Sequence, residues 1–187
     1  MAPRRLFGVM MNAKFIKDMQ RWMANTSIGA STARRMGPKK TVEKARTFLK
    51  GLRLKRFLKK TESAFVKELD KVTEELMEAL PHKAGKWGSA RKFLNIFLRG
   101  CTYNKYLCTH YKLGQLEKWL EVPLDKDVAI NLKCEAGRGM LPRWYGVIHL
   151  TPAESDIFQW FASGLADAKR VNRVDLDIEF WRSGNKQ

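Results

Sequence analysis

Between Ser63 and Leu80 the apolar side chains Phe65, Leu69, Val72, Leu76 and Leu80 recur at three- and four-residue steps, with Glu74, Glu75 and Glu78 largely on the other side. That spacing follows the α-helical turn and not the two-residue repeat of a strand, so the segment reads as an amphipathic helix with one face to bury. The same spacing recurs along most of the chain. The expected fold is therefore all-α, with helices packed on helices.

Phe7, Met10, Phe15, Met19, Trp22 and Met23 predict a first helix over about residues 8–25. Gly, Ser and Pro then break it into a basic loop from Thr26 to Lys40. A second helix is expected over 41–59, where Val42, Phe48, Leu49, Leu52 and Phe57 stand among Lys and Arg. Pro81 and Gly85 end the third helix, and AGKWGSARKFLNIFLRGCTYN, residues 84–104, reads as a glycine-flanked turn entering a helix with Ser89 as its N-cap. Shorter helices are expected around Tyr106–Tyr111, Gly114–Leu120 and Asp127–Lys133. Thr151, Pro152 and Glu154 form a capping box with proline at the first helical position. The segment VDLDIEFW alternates as a strand would, yet no second strand is evident to pair with it, and a lone strand leaves its backbone unsatisfied. It is read as helix.

Hydrophobic residues make up 44% of the 187, enough to form a core and exclude wholesale disorder. No run approaches the ~18 apolar residues of a membrane span, and the start lacks the apolar stretch of a secretory signal. Cys101, Cys108 and Cys134 are odd in number and form no CxxC pair, so they read as reduced thiols of a cytosolic protein with no zinc site.

Charge is unevenly distributed. Residues 1–60 hold 17 Lys or Arg against Asp18 and Glu43, whereas 61–187 are nearly neutral, within a total of +17. Crowding like charges costs self-repulsion unless a polyanion is at hand, and counterion release from a phosphate backbone supplies the compensation. Nucleic acid is the expected partner, ahead of an acidic membrane surface or acidic protein. Arg34, Arg35, Lys39 and Lys40 in the basic loop are candidate phosphate contacts. The expected organisation is a basic helical DNA-gripping region, 1–60, followed by a helical catalytic region, 61–187.

Candidate chemistry is sparse. His82, His110 and His149 are far apart, and no phosphate-cradling GxxxxGK(S/T) or GxGxxG occurs. The acidic pairs Asp125/Asp127 and Asp175/Asp177 lack further evident metal ligands, which argues against a nuclease. In VPLDKDVAINL, Asp125 follows Pro123 at the start of a helix. It is either an N-cap or an ionised carboxylate aimed at a cationic transition state, and the two are compatible.

Three segments taken in order, GSARKFLNIFL with Lys92, PLDKDVA with Asp125, and LDIEFWRSG from Leu176 to Gly184, resemble the helix-hairpin-helix DNA glycosylases, particularly the compact archaeal 8-oxoguanine glycosylase branch. The likeness covers about residues 84–184, and Lys92 and Asp125 stand 33 residues apart, similar to that branch. The hairpin departs from the family's LPGVGxKTA, reading AGKWGSARK, and Asp127 stands where His or Arg is usual.

The resemblance implies a two-lobed helical fold with a cleft near residues 87–104 and 123–145. It implies a DNA N-glycosylase that flips out and excises a damaged or modified base, an oxidised purine or a modified pyrimidine, including in phage DNA as host defence. Asp125 would stabilise the oxocarbenium-like sugar. Lys92 would be either an amine nucleophile at C1′, with associated strand cleavage, or one more phosphate contact. Trp87, Ser89, Arg91, Tyr103, Asn104, Asp127, Arg143, Trp144 and Tyr145 are the candidate DNA or base contacts. No cofactor or metal is expected, and the enzyme would act as a monomer in a prokaryotic cytoplasm, nucleoid-associated. The alternative is a non-catalytic basic helical DNA- or RNA-binding protein.

Overall fold

A computed structural model describes residues 5, 6, 9, 10 and 12–183, with side-chain surroundings for 12–180. Eight α-helices carry these residues: α1 (Ala13–Ser27), α2 (Lys40–Gly51), α3 (Glu62–Ala79), α4 (Trp87–Tyr103), α5 (Lys105–Tyr111), α6 (Lys126–Ala136), α7 (Pro152–Lys169) and α8 (Leu176–Ser183). Among the described residues, strand is confined to β1 (Arg5–Leu6) and β2 (Val9–Met10), an antiparallel pair with Arg5 opposite Met10. No helix among the described residues is long and apolar enough to cross a membrane.

The bundle has two lobes, each with its own core. The first is packed from α1 to α5 around Phe57, Phe65, Phe93 and Phe97, so the basic first sixty residues share one core with α3, α4 and α5. The second is built by α6, α7 and α8 around Leu124, Leu132, Phe158, Leu176 and Phe180, with Trp87 and Trp144 packed against it. Helix α4 is the common spine, packing on α1, α3 and α5 and also on α7 and the 3₁₀ turn Val147–His149. Nearly every residue from Gly88 to Thr102 is buried accordingly.

Several boundaries differ from the sequence reading for local reasons. α1 begins at Ala13, where Asn12 accepts the Phe15 N–H at 2.7 Å as N-cap, because Val9 and Met10 are already paired with Arg5 and Leu6. α2 stops at Gly51 and gives way to the 3₁₀ turn Leu54–Phe57. There the buried Gln20 amide donates to the carbonyls of Leu49 and Leu52, at 3.1 and 2.7 Å, taking acceptors that a longer helix would have used. Leu113–Trp119 is 3₁₀ and not α-helix. VDLDIEFW is helical, its 3₁₀ turn Arg173–Asp175 leading into α8, with Leu176 and Phe180 buried one turn apart. The capping box of α7 forms as expected. Phe7, placed on the first stripe, and Gly184, the end of the last motif, lie outside the described residues.

The α3–α4 connection fixes where the cleft lies. Gly88 sits in the first turn of α4 so close to the second lobe that an added Cβ would overlap the Val147 carbonyl oxygen and press on Leu150 Cβ. Relief would require backbone movement and not a rotamer change. Gly88→Ala is therefore expected to destabilise the fold by about 2–3 kcal/mol despite alanine's better helix propensity. Urea denaturation of the two proteins checks this, and a neutral or stabilising alanine would contradict the close approach.

Candidate functional site

Helix α4 presents Lys92, Arg99 and Tyr103 at steps of seven and four residues, hence along one face. Each meets an aspartate of the second lobe. Lys92 Nζ lies 3.5 Å from Asp125 Oδ2, Arg99 is ion-paired with Asp177, and the Tyr103 hydroxyl donates to Asp175. Burial pulls the Arg99 guanidinium below its usual pKa, opposed by the charges of Tyr103, Asp125 and Asp175. Burial and the Asp175 carboxylate push the Tyr103 phenol well above its usual value, keeping it a hydrogen-bond donor at neutral pH.

Asp125 performs two tasks with its two oxygens. Oδ1 accepts the backbone N–H groups of Asp127 and Val128, at 3.0 and 3.1 Å, capping α6. Oδ2 faces Lys92. The helix N-terminus favours the charged form, and the cap fixes the carboxylate's direction. The lysine is 10% exposed at its side chain and the aspartate 34%, so the pair sits at the mouth of the cleft, not sealed within it.

Behind this pair lies a buried polar network that holds the linker preceding α6 against α4. Arg91 donates through Nε and Nη2 to both oxygens of Glu121, each at 2.8 Å, and through Nη1 to Asp70 and Thr73. Asn95 Nδ2 donates to the same Glu121 at 2.8 Å. Burial alone would raise the Glu121 pKa, but the Arg91 charge and hydrogen bonds outweigh it and hold the carboxyl below its ordinary value. Glu121 lies four residues before Asp125, so this bidentate pair sets where α6 begins.

The expected site residues divide into groups. Lys92 and Asp125 come together, with Tyr103 on the same face of α4. Trp87 is half-buried under the Arg91 guanidinium, whose carbon lies 5.1 Å from the ring centroid. Arg91 itself is turned inward and fully engaged, and this corrects its assignment as a DNA contact: a guanidinium 3% exposed and forked onto Glu121 has no donors to offer a phosphate. Ser89 is neither cap nor surface contact; α4 already begins at Trp87 with Lys86 as N-cap, and Ser89 is fully buried. Asn104 is the N-cap of α5, accepting from Tyr106 and Leu107, so its side chain is committed to the fold.

Asp127 is exposed, on the outside of the α6 start. In the loop after α6, Trp144 packs edge-on against Phe158, whereas Tyr145 is 64% exposed with the Arg143 guanidinium over its ring. The second is thus the better stacking surface. Arg34, Arg35, Lys39 and Lys40 are all exposed around α2, whereas Arg46, Arg56 and Lys59 of the same basic region bind Ile28 O, Glu68 and Glu75 within the fold.

Arg99, Asn95 and Glu121 were not singled out from the sequence. The Lys92, Arg99, Tyr103 spacing could have found the first; nothing short of the fold links Glu121 to Arg91, 30 residues away. Among the described residues, no group of three or more His, Cys, Asp or Glu is placed to hold a metal ion. Comparison with protein-family models, curated proteins and solved structures returns no match for this chain.

Proposed function

We propose that the protein is a DNA glycosylase that extrudes a damaged or modified base and breaks its N-glycosidic bond, with Asp125 and Lys92 as the reacting pair. The observation that carries this reading is their 3.5 Å approach across the cleft, an amine and a cap-fixed carboxylate from segments 33 residues apart. A base within a duplex is out of reach and must be flipped, at a cost of a few kcal/mol. Exposed Tyr145 with Arg143 supplies a face for stacking, and the basic surface around α2 supplies phosphate contacts. As the bond to the base lengthens, positive charge grows on the sugar, and Asp125 Oδ2 is the anion placed to stabilise it. Lys92, once deprotonated, would attack C1′ and form a Schiff base that permits strand cleavage.

The test is incubation with duplexes that each carry one modified base, oxidised purines and modified pyrimidines included, followed by alkali and a search for strand breaks. Breaks that weaken in Asp125→Asn support the reading. Breaks on no substrate leave a non-catalytic nucleic-acid binder. Borohydride trapping of a protein–DNA adduct that disappears in Lys92→Gln assigns the nucleophile.

Salt dependence tests the basic surface separately. Replacing Arg34, Lys39 and Lys40 together by alanine is expected to flatten the slope of log K against log salt by about 0.9 for each phosphate no longer neutralised. Substitution is the right probe here, because deleting residues 1–60 would remove part of the first core. An unchanged slope in a filter-binding titration would place the DNA elsewhere.

A further inference from the structure

Beside the Lys92–Asp125 pair a recess of about 170 Å³ runs between α4 and α7, lined by Gly88, Lys92 and Asn95 on one side and Leu150, Ser155 and Gln159 on the other. Its polar groups are unequal. Gln159 is spent, its amide oxygen and nitrogen both bonded to the Val122 backbone at 3.2 and 2.8 Å. Asn95 is not. It is 3% exposed, and its Oδ1 has no hydrogen-bond partner among the described residues.

The direction of that oxygen is fixed. Glu121 is held ionised by Arg91 and can only accept, so the Asn95 Nδ2 must face it, which turns Oδ1 the other way. A buried acceptor without a donor costs free energy, and such a cost persists where a ligand relieves it. The volume is well below the roughly 300–1,000 Å³ of pockets for drug-sized ligands, so a sugar or phosphate stays outside. What suits it is the edge of a small planar group, with Leu124 and Leu150 as apolar walls, and full insertion requires α4 and α7 to part slightly. Lys92 is a wall of this recess and a member of the reacting pair alike.

We propose that Asn95 reads the extruded base: its Oδ1 accepts a hydrogen bond from a ring or exocyclic N–H, so the site admits bases with a free N–H on the entering edge and excludes those alkylated there. This rests on the glycosylase reading of the same cleft. A site built around a buried hydrogen-bonding group discriminates strongly against a ligand lacking its partner, because the group is then left unpaired.

The experiment uses the full chain and paired bases whose glycosidic nitrogen is blocked by methyl: 1-methyluracil against 1,3-dimethyluracil, and 9-methylhypoxanthine against 1,9-dimethylhypoxanthine. Binding is followed by tryptophan fluorescence and by the Asn95 side-chain amide signals in nitrogen-15 spectra. In the wild type, at least one N–H base is expected to bind about tenfold or more tighter than its methylated partner, with the Asn95 amide signals shifting, and that margin should collapse in Asn95→Leu. Equal binding within each pair, or binding by no N–H base, overturns the proposal. Should Asn95→Leu fail to fold, the wild-type pairs alone decide. Discrimination without strand breaks on any modified duplex keeps Asn95 as a reader and removes the glycosylase reading; strand breaks without discrimination do the reverse.

Discussion

Asp125→Asn is expected to lower base release by about 10²–10³-fold while leaving the fold intact, the range typical of removing one preorganised electrostatic group from a reacting centre. The substitution is unusually clean here because the two oxygens of Asp125 have separate tasks. Asparagine is as good an N-cap as aspartate, so its carbonyl oxygen can keep accepting from Asp127 and Val128. What disappears is the negative charge facing Lys92. Single-turnover rates on whichever modified duplex is cleaved, with circular dichroism to confirm the helices, measure the two effects separately. A rate that survives the substitution would remove Asp125 from the chemistry even if the protein is a glycosylase.

Arg91→Met has the largest expected effect on stability, about 3–5 kcal/mol, because it strands a carboxylate inside the protein. Glu121 would lose both arms of the guanidinium and keep only Asn95, in a setting where burial already opposes its charge. Arg91→Met combined with Glu121→Leu should recover much of the loss, since an apolar pair of similar volume leaves nothing unpaired. Additive losses in the double variant would show that the residues act independently.

The same pair makes the wild type sensitive to acid. A carboxyl whose folded-state pKa is depressed contributes stability above its unfolded value, ordinarily about 4.3, and that contribution fades as pH falls through the lower folded value. Chemical denaturation between pH 7 and 3 should therefore show stability falling in the acid limb, with a shallower fall in the double variant.

The helices were legible because their apolar spacing is local: the α3 stripe is read directly from its residues, and so is the capping box of α7. Boundaries were less so where a distant group decides them. Nothing near Gly51 announces that Gln20, some thirty residues earlier, will occupy the carbonyls at the end of α2. The meeting of Lys92 and Asp125 was legible only through the order of motifs, not through either residue alone. Arg91 was misjudged for a physical reason. An arginine beside the key lysine looks like a phosphate ligand until the 100° step per residue turns it toward Glu121. Glu121 and Asn95 have no local signature, since their significance lies in a buried network closed by tertiary packing.

Helix α4 also determines how freely this chain can vary. Between Gly88 and Leu98 only Ile96 is not fully buried, and the helix supplies both cores, the inward fork of Arg91 and the cleft-facing Lys92 and Asn95. Each position answers to at least one neighbour on another element, so a change acceptable to one lobe must also suit the other. Mutational latitude is consequently concentrated elsewhere, on the outer faces of α2 and α7, while the central helix can drift only in step with the linker and loops that close around it. A library randomised over the whole chain would retain α4 nearly unchanged among its folded survivors.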